Sequence, residues 1–346
     1  MKHQNKIFLL LLILFVSVLV YSCKKDSMTI ESADENIQLV IPDGWTTPPY
    51  NFSTNNLTNA GFILGRKLFY EKKLSADNSI ACASCHQQQF AFSNQTHSVS
   101  AGVNGILGTR NAPALSNLVW QTNFMWNGGV NHIEVVPLSP ITNHFEMNET
   151  LSNVINKLQN DLEYPALFEK AFGTTTVTSQ LMLKAMAQFT GMLVSSNSKY
   201  DLYSRGETTL TESETNGLNL FSQKCSSCHP APLFTNLEYM NFGLDSIFTD
   251  AGRAGITGLA ADFGLFKVPS LRNVALSYPY MHDGRFATLV DVLEHYSRGI
   301  VHSSTLSSEL NSVTPLSHSE KQDIISFLYT LTDNTFITDD RFKNPN

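Results

Sequence analysis

Two five-residue stretches, Cys82-Ala83-Ser84-Cys85-His86 and Cys225-Ser226-Ser227-Cys228-His229, share the pattern Cys-x-x-Cys-His and constrain this chain more than anything else in it. The pattern is the attachment site of c-type haem: two thiols one helical turn apart form thioethers with the porphyrin vinyl groups, and the adjoining His offers an axial nitrogen to iron. A lone Cys-x-x-Cys would suit half a zinc site or a redox dithiol. Here a His follows both times, and the motifs lie 143 residues apart (225 − 82), whereas zinc pairs usually fall within a few tens of residues. The expectation is two covalent haems, one in each half.

A chain of 346 residues exceeds what one core usually serves, so one haem domain per half is the natural division. Met1 to Lys6 form a basic stretch, followed by an apolar run over Ile7–Val20 and then Tyr21-Ser22-Cys23. This is an export signal, too short for a membrane span, and Cys23 is placed like the lipidated Cys of bacterial lipoproteins. An ordinary cleaved signal with an incidental Cys is the alternative. Five cysteines then divide into one for lipid and four for haem, leaving none for disulfides. Removing residues 1–22 takes away two lysines and no acid, so the net charge goes from −7 to −9, which argues against a nucleic-acid partner.

The expected organisation is a lipoprotein signal at 1–22, a tether at 23–56, an N-terminal haem domain at 57–204 and a C-terminal haem domain at 205–337. Asp, Ser, Asn, Thr and Pro without apolar period give the tether reading. The fold class is mainly α with long ordered loops. A helix over Thr58–Tyr70 leads to the first motif, residues 87–150 are loop-like, and helical period returns at Leu151–Leu158 and from Leu181 to Leu193. Capping-box spacings at Thr211/Glu214, Thr288/Asp291 and Ser317/Glu320 start three helices of the second half.

With two such haems, Arg110-Asn111-Ala112-Pro113, Phe124-Met125-Trp126-Asn127-Gly128, and Val268-Pro269-Ser270-Leu271-Arg272-Asn273 followed by Tyr280-Met281-His282-Asp283-Gly284, the chain resembles the bacterial dihaem cytochrome c peroxidases and their relative, the methylamine-utilisation protein MauG. The likeness runs from about Gly61 to Leu331. It implies that the N-terminal haem meets peroxide and the C-terminal haem relays electrons, with His86 and His229 as proximal ligands. Trp126 takes the place of the family's Trp between the haems, although Asn127 stands where the family has Asp. The family's Pro-Ile-x-Asn-x-x-Glu-Met stretch is Pro140–Met147 here, which makes Glu146 the acid–base residue. Cleaving the O–O bond needs one carboxylate to take a proton from one oxygen and deliver it to the other.

Two positions depart from most peroxidases of the family. Where those have a capping His, this chain has Val103, so the first haem is expected to stay open unless His97 substitutes. Where they have a distal Met on the second haem, fourteen residues after His282, this chain has Tyr296, as MauG does; Met281 is the rival ligand. The family's calcium site maps onto Asn111, Ser277 and Pro279.

The implied activity is reduction of hydrogen peroxide to water with electrons from a small cytochrome c or cupredoxin, in the periplasm or cell envelope, anchored through Cys23. A homodimer is compatible with the resemblance. The alternative is MauG-like oxidation of a partner protein through high-valent haem, which Val103 and Tyr296 favour and Val136, in place of the family's Gln, does not. A third reading is a non-catalytic dihaem electron carrier, for which Glu146→Gln would change nothing.

Overall fold

Two helix crossings, each pinned by a glycine, carry the haem motifs. The computed structural model describes residues 37–345, so the export signal and Cys23 lie outside the described residues. Apart from the single turn Ala254–Thr257, the helices in chain order are α1 (Asn59–Phe69), α2 (Cys82–Cys85), α3 (Leu138–Thr142), α4 (Leu151–Gln159), α5 (Tyr164–Phe172), α6 (Ser179–Gly191), α7 (Lys199–Ser204), α8 (Glu212–Lys224), α9 (Leu289–Glu294), α10 (His318–Tyr329) and α11 (Asn334–Thr338). Strands β1 (Tyr239–Met240) and β2 (Phe266–Lys267) pair antiparallel, Tyr239 opposite Lys267. The chain is therefore helix-rich, with long turns between α2 and α4.

Helix α1 begins where the Thr58 hydroxyl accepts a hydrogen bond from the Gly61 amide, and α8, α9 and α10 begin on the Thr211/Glu214, Thr288/Asp291 and Ser317/Glu320 boxes. Helix α1 crosses α6 at Gly65, where a Cβ would overlap the Ala185 carbonyl oxygen, and α8 crosses α10 at Gly217, where it would overlap the Asp323 carbonyl oxygen. Each crossing ends one helix close to a Cys-x-x-Cys-His motif. Gly217→Ala is expected to destabilise the protein by about 1–3 kcal/mol through overpacking, read as a lower urea midpoint at unchanged haem content.

Around the first crossing Leu64, Leu68, Met182 and Met186 join Val154, Leu158 and Phe168 in one core, against which Cys82 packs. Around the second, Phe221, Ile324, Phe327 and Leu328 join Phe234, Leu289 and Leu293, with Cys225 against them. The halves interleave. Tyr200 of α7 packs edge-on to Phe234 and Phe327, at 5.0 and 5.8 Å between ring centroids. In return the C-terminal tail crosses back, burying Phe336 and Phe342 beside Phe69, Phe92 and Phe189.

The tether expectation needs correcting for residues 37–56. Trp45 meets Trp120 edge-to-face at 4.9 Å, the Trp120 indole donates to the Thr46 carbonyl at 2.8 Å, and Phe52 is buried. Three aromatic anchors at uneven spacing, Trp45, Tyr50 and Phe52, hold this stretch. They give no helical or strand period, which is why the sequence reads there as linker.

Candidate haem-binding active site

Helix α2 is a single turn, so Cys82 and Cys85 share a face and the chain leaves with His86, whose amide donates to the Cys82 carbonyl at 2.9 Å. At the second motif Cys225 caps α8, and the His229 amide donates to the Cys225 carbonyl at 2.9 Å. The two imidazoles are held alike: Nδ1 of His86 lies 3.0 Å from the Phe92 carbonyl, and Nδ1 of His229 lies 3.0 Å from the Phe234 carbonyl. A carbonyl partner requires Nδ1 to carry the proton, which leaves Nε2 with its lone pair. Burial pulls both imidazoles down to about 4, so they are neutral at ordinary pH. No disulfide joins the four motif cysteines. Burial pushes Cys82 and Cys225 up to about 12 and Cys85 up to about 11.

Cys82, Cys85, His86, Cys225, His229 and Tyr296 line one continuous cavity of about 680 Å³. Cys228 is turned onto Met240, with 3.4 Å between the sulfurs. The remaining wall is largely apolar, which suits a porphyrin face. No cluster of three His, Cys, Asp or Glu side chains able to hold a metal ion exists among the described residues. Thiols, a neutral imidazole and an apolar wall at each motif fit c-type haem.

Glu146 lies on this cavity wall, where its Oε1 accepts a hydrogen bond from Asn143 Nδ2 at 2.8 Å. Its charge is felt at both Cys82 and Cys85, which places it beside the first motif. Burial raises its pKa and the Asn143 bond lowers it; burial wins. Trp126, also on the wall, donates its indole N–H to the Asn111 carbonyl at 2.9 Å, and its own carbonyl accepts the Lys267 amide of β2 at 2.7 Å. It is thus fixed from both halves. Asn127 accepts from the Gly129 amide.

Tyr296 sits in a single π turn, His295–Gly299, a local widening frequent at functional sites. Burial holds its phenol protonated well above the usual tyrosine range, and it feels both Cys225 and Cys228, so it faces the second motif. Met281 also reaches the cavity, from a left-handed backbone at φ +73°. Asn111, Ser277 and Pro279 all line the cavity as well. His97 does not: it is exposed, with Nδ1 2.8 Å from the Thr96 hydroxyl. Val103 is buried, its amide donating to the Glu146 carbonyl at 2.8 Å.

Neither Asn143, the partner of Glu146, nor Lys267 carries a local sequence signal for its place on this wall. A motif match names Glu146; only geometry supplies the group that orients it.

A family profile described as di-haem cytochrome c peroxidase matches residues 59–209. The chain is 31% identical to the methylamine utilization protein MauG of Methylophilus methylotrophus over 283 residues, covering 80% of this chain and 84% of that relative. It is 33% identical to the cytochrome c551 peroxidase of Nitrosomonas europaea over 275 residues, covering 78% and 79%. The crystal structure of a MauG-like protein associated with microbial copper homeostasis superposes with a TM-score of 0.83 at 31% identity, over 89% of this chain and 99% of that one.

Proposed function

The chain belongs to the di-haem cytochrome c peroxidase family, which holds peroxidases and MauG proteins alike, and from that premise we propose that it reduces hydrogen peroxide to water with electrons from a small cytochrome c or cupredoxin outside the cytoplasm. The observation that carries the reading is Glu146, a buried carboxyl oriented by Asn143 beside the first haem motif. Cys82 and Cys85 with His86, and Cys225 and Cys228 with His229, would hold two c-type haems, which supply the redox chemistry when bound.

The overall change is H₂O₂ + 2 H⁺ + 2 e⁻ → 2 H₂O. Glu146 takes the proton of one peroxide oxygen and returns it to the other, which departs as water as the O–O bond breaks. The remaining oxygen leaves as the second water once the two electrons from the donor and two protons have arrived. The raised pKa of Glu146 suits both roles, since base and acid work best near the working pH. Trp126, fixed by hydrogen bonds from both halves, is the route for electrons between the two sites. Asn111, Ser277 and Pro279 are the residues we assign to a calcium ion that braces this junction.

A second reading, MauG-like oxidation of a partner protein, is supported by two observations. His97 faces solvent while Val103, in the place of a ligand, is buried, and Tyr296 faces the second motif. A phenolate ligand lowers a haem potential and a Met thioether raises it. Tyr296→Met is therefore expected to raise the potential of one haem and leave the other unmoved in a spectroelectrochemical titration. Unmoved potentials at both would transfer the ligand role to Met281.

The function is tested by supplying the haem-loaded protein with hydrogen peroxide and a reduced small cytochrome c. Saturable oxidation of the donor, two electrons per peroxide, is expected. Peroxide left unconsumed would mark a plain electron carrier.

A further inference from the structure

Two long basic side chains line the cavity, Arg110 and Lys267. Arg110 is already neutralised, forking onto Asp250 through Nε at 2.7 Å and Nη2 at 2.8 Å. Lys267 has no carboxylate. Its ammonium donates to Gln121 Oε1 at 2.6 Å and to the Asn123 carbonyl at 2.8 Å, and lies 5.9 Å from the centre of the Phe124 ring. An ammonium has three N–H donors. Two are used on neutral acceptors, and no partner for the third is present among the described residues.

Burial alone acts on this group and pulls its pKa down to about 8. Taking an ammonium out of water is costly unless an anion compensates it. Glu146, the sole carboxyl on the cavity wall among the described residues, sits at the first motif and does not register among the charges acting on Lys267. The compensating anion must therefore arrive with whatever fills the cavity. A haem brings two propionate carboxylates.

We propose that Lys267 is the counter-ion of a haem propionate, an anion-binding position built at the junction of the two halves beside Trp126. This rests on the haem reading above. The lysine stem reaches from β2 across to Gln121–Phe124 of the first half, while its amide holds the Trp126 carbonyl at 2.7 Å. The propionate closes that bridge: it fills the third donor, and the paired charges let the segment around Trp126 keep one arrangement. A cation at a propionate also favours the reduced, less positive iron, so Lys267 holds up the potential of the haem it serves.

The test uses the full haem-loaded protein and its Lys267→Met, Lys267→Gln and Lys267→Arg forms, with covalent haem counted first and both potentials then titrated. Met and Gln are expected to shift one potential downward, and Arg to restore it most of the way. Gln keeps a donor for the Asn123 carbonyl, so it remains informative if the Met form does not accumulate. Two bound haems with potentials the same in the Gln and wild-type proteins would overturn the assignment. So would a downward shift that Arg reproduces in full, since that marks a packing role. A wild-type chain carrying no haem would instead remove the reading on which the proposal stands.

Discussion

Glu146→Gln is expected to lower the rate of peroxide reduction by about 10²- to 10⁴-fold, the usual worth of a positioned acid–base group, with both haems still attached. The change keeps side-chain volume, and the Gln carbonyl still accepts from Asn143, so the wall of the cavity is preserved. What is lost is the ability to take and return a proton. The pH dependence has a definite sign. Glu146 must be ionised to accept the peroxide proton, and burial raises its pKa above the ordinary carboxylate value. Wild-type activity should therefore fall as pH drops through that raised value, and the Gln form should lack this acid limb. Stopped-flow reaction with peroxide across pH reads both effects. A Gln form as fast as wild type would remove Glu146 from the acid–base role.

Asp201→Asn should cost about 3–5 kcal/mol of stability, the range for breaking one side of a buried ion pair. The Arg272 side chain has 0% of its surface exposed, and its guanidinium meets Asp201 through two bonds, Nη1 at 2.9 Å and Nη2 at 2.8 Å. Its Nε donates to the Pro232 carbonyl at 2.7 Å, and the group lies 4.6 Å from the Trp45 ring centre. One residue thus ties the N-terminal stretch, α7 and the second core together. Burial alone would raise the Asp201 carboxyl, but the Arg272 guanidinium and the Ser198 amide and hydroxyl together outweigh it and hold the pKa below the ordinary 3.8. A depressed carboxyl stabilises the fold above its unfolded pKa and loses that contribution as pH falls toward its folded one. Urea midpoints of wild type and variant should therefore differ most near neutrality and converge below about pH 4. A constant gap down to pH 2 would show that packing, not the charge pair, sets the cost.

What was legible in the sequence follows from what local chemistry encodes. The haem motifs, the helix leading into each and three capping boxes depend on residues a few positions apart. Glu146 and Trp126 were singled out through motif order, and both line the cavity that the Cys-x-x-Cys-His residues also line. Helix α5 was missed although Pro165 near its start and Gly173 past its end, at φ +74°, are ordinary start and stop signals. The close helix crossings at Gly65 and Gly217 looked like unfavourable helix glycines until a facing backbone explained them. Residues 37–56 and the tail beyond Asp333 escaped because their anchors are single aromatics with distant partners. Lys267 escaped for the same reason: in sequence a lysine is a surface residue by default, and only the fold shows it buried without a carboxylate.

The measurement that bears most directly on the central claim is the optical and EPR spectrum of the fully oxidised, haem-loaded protein, taken before and within seconds of adding one equivalent of hydrogen peroxide, with covalent haem counted on the same sample. Two haems per chain and an immediate spectral change without added reductant are expected, because no side chain of the His97–Val103 loop reaches the cavity wall beyond Ser100. Two haems that ignore peroxide would contradict an open first site and return His97 to the role of cap.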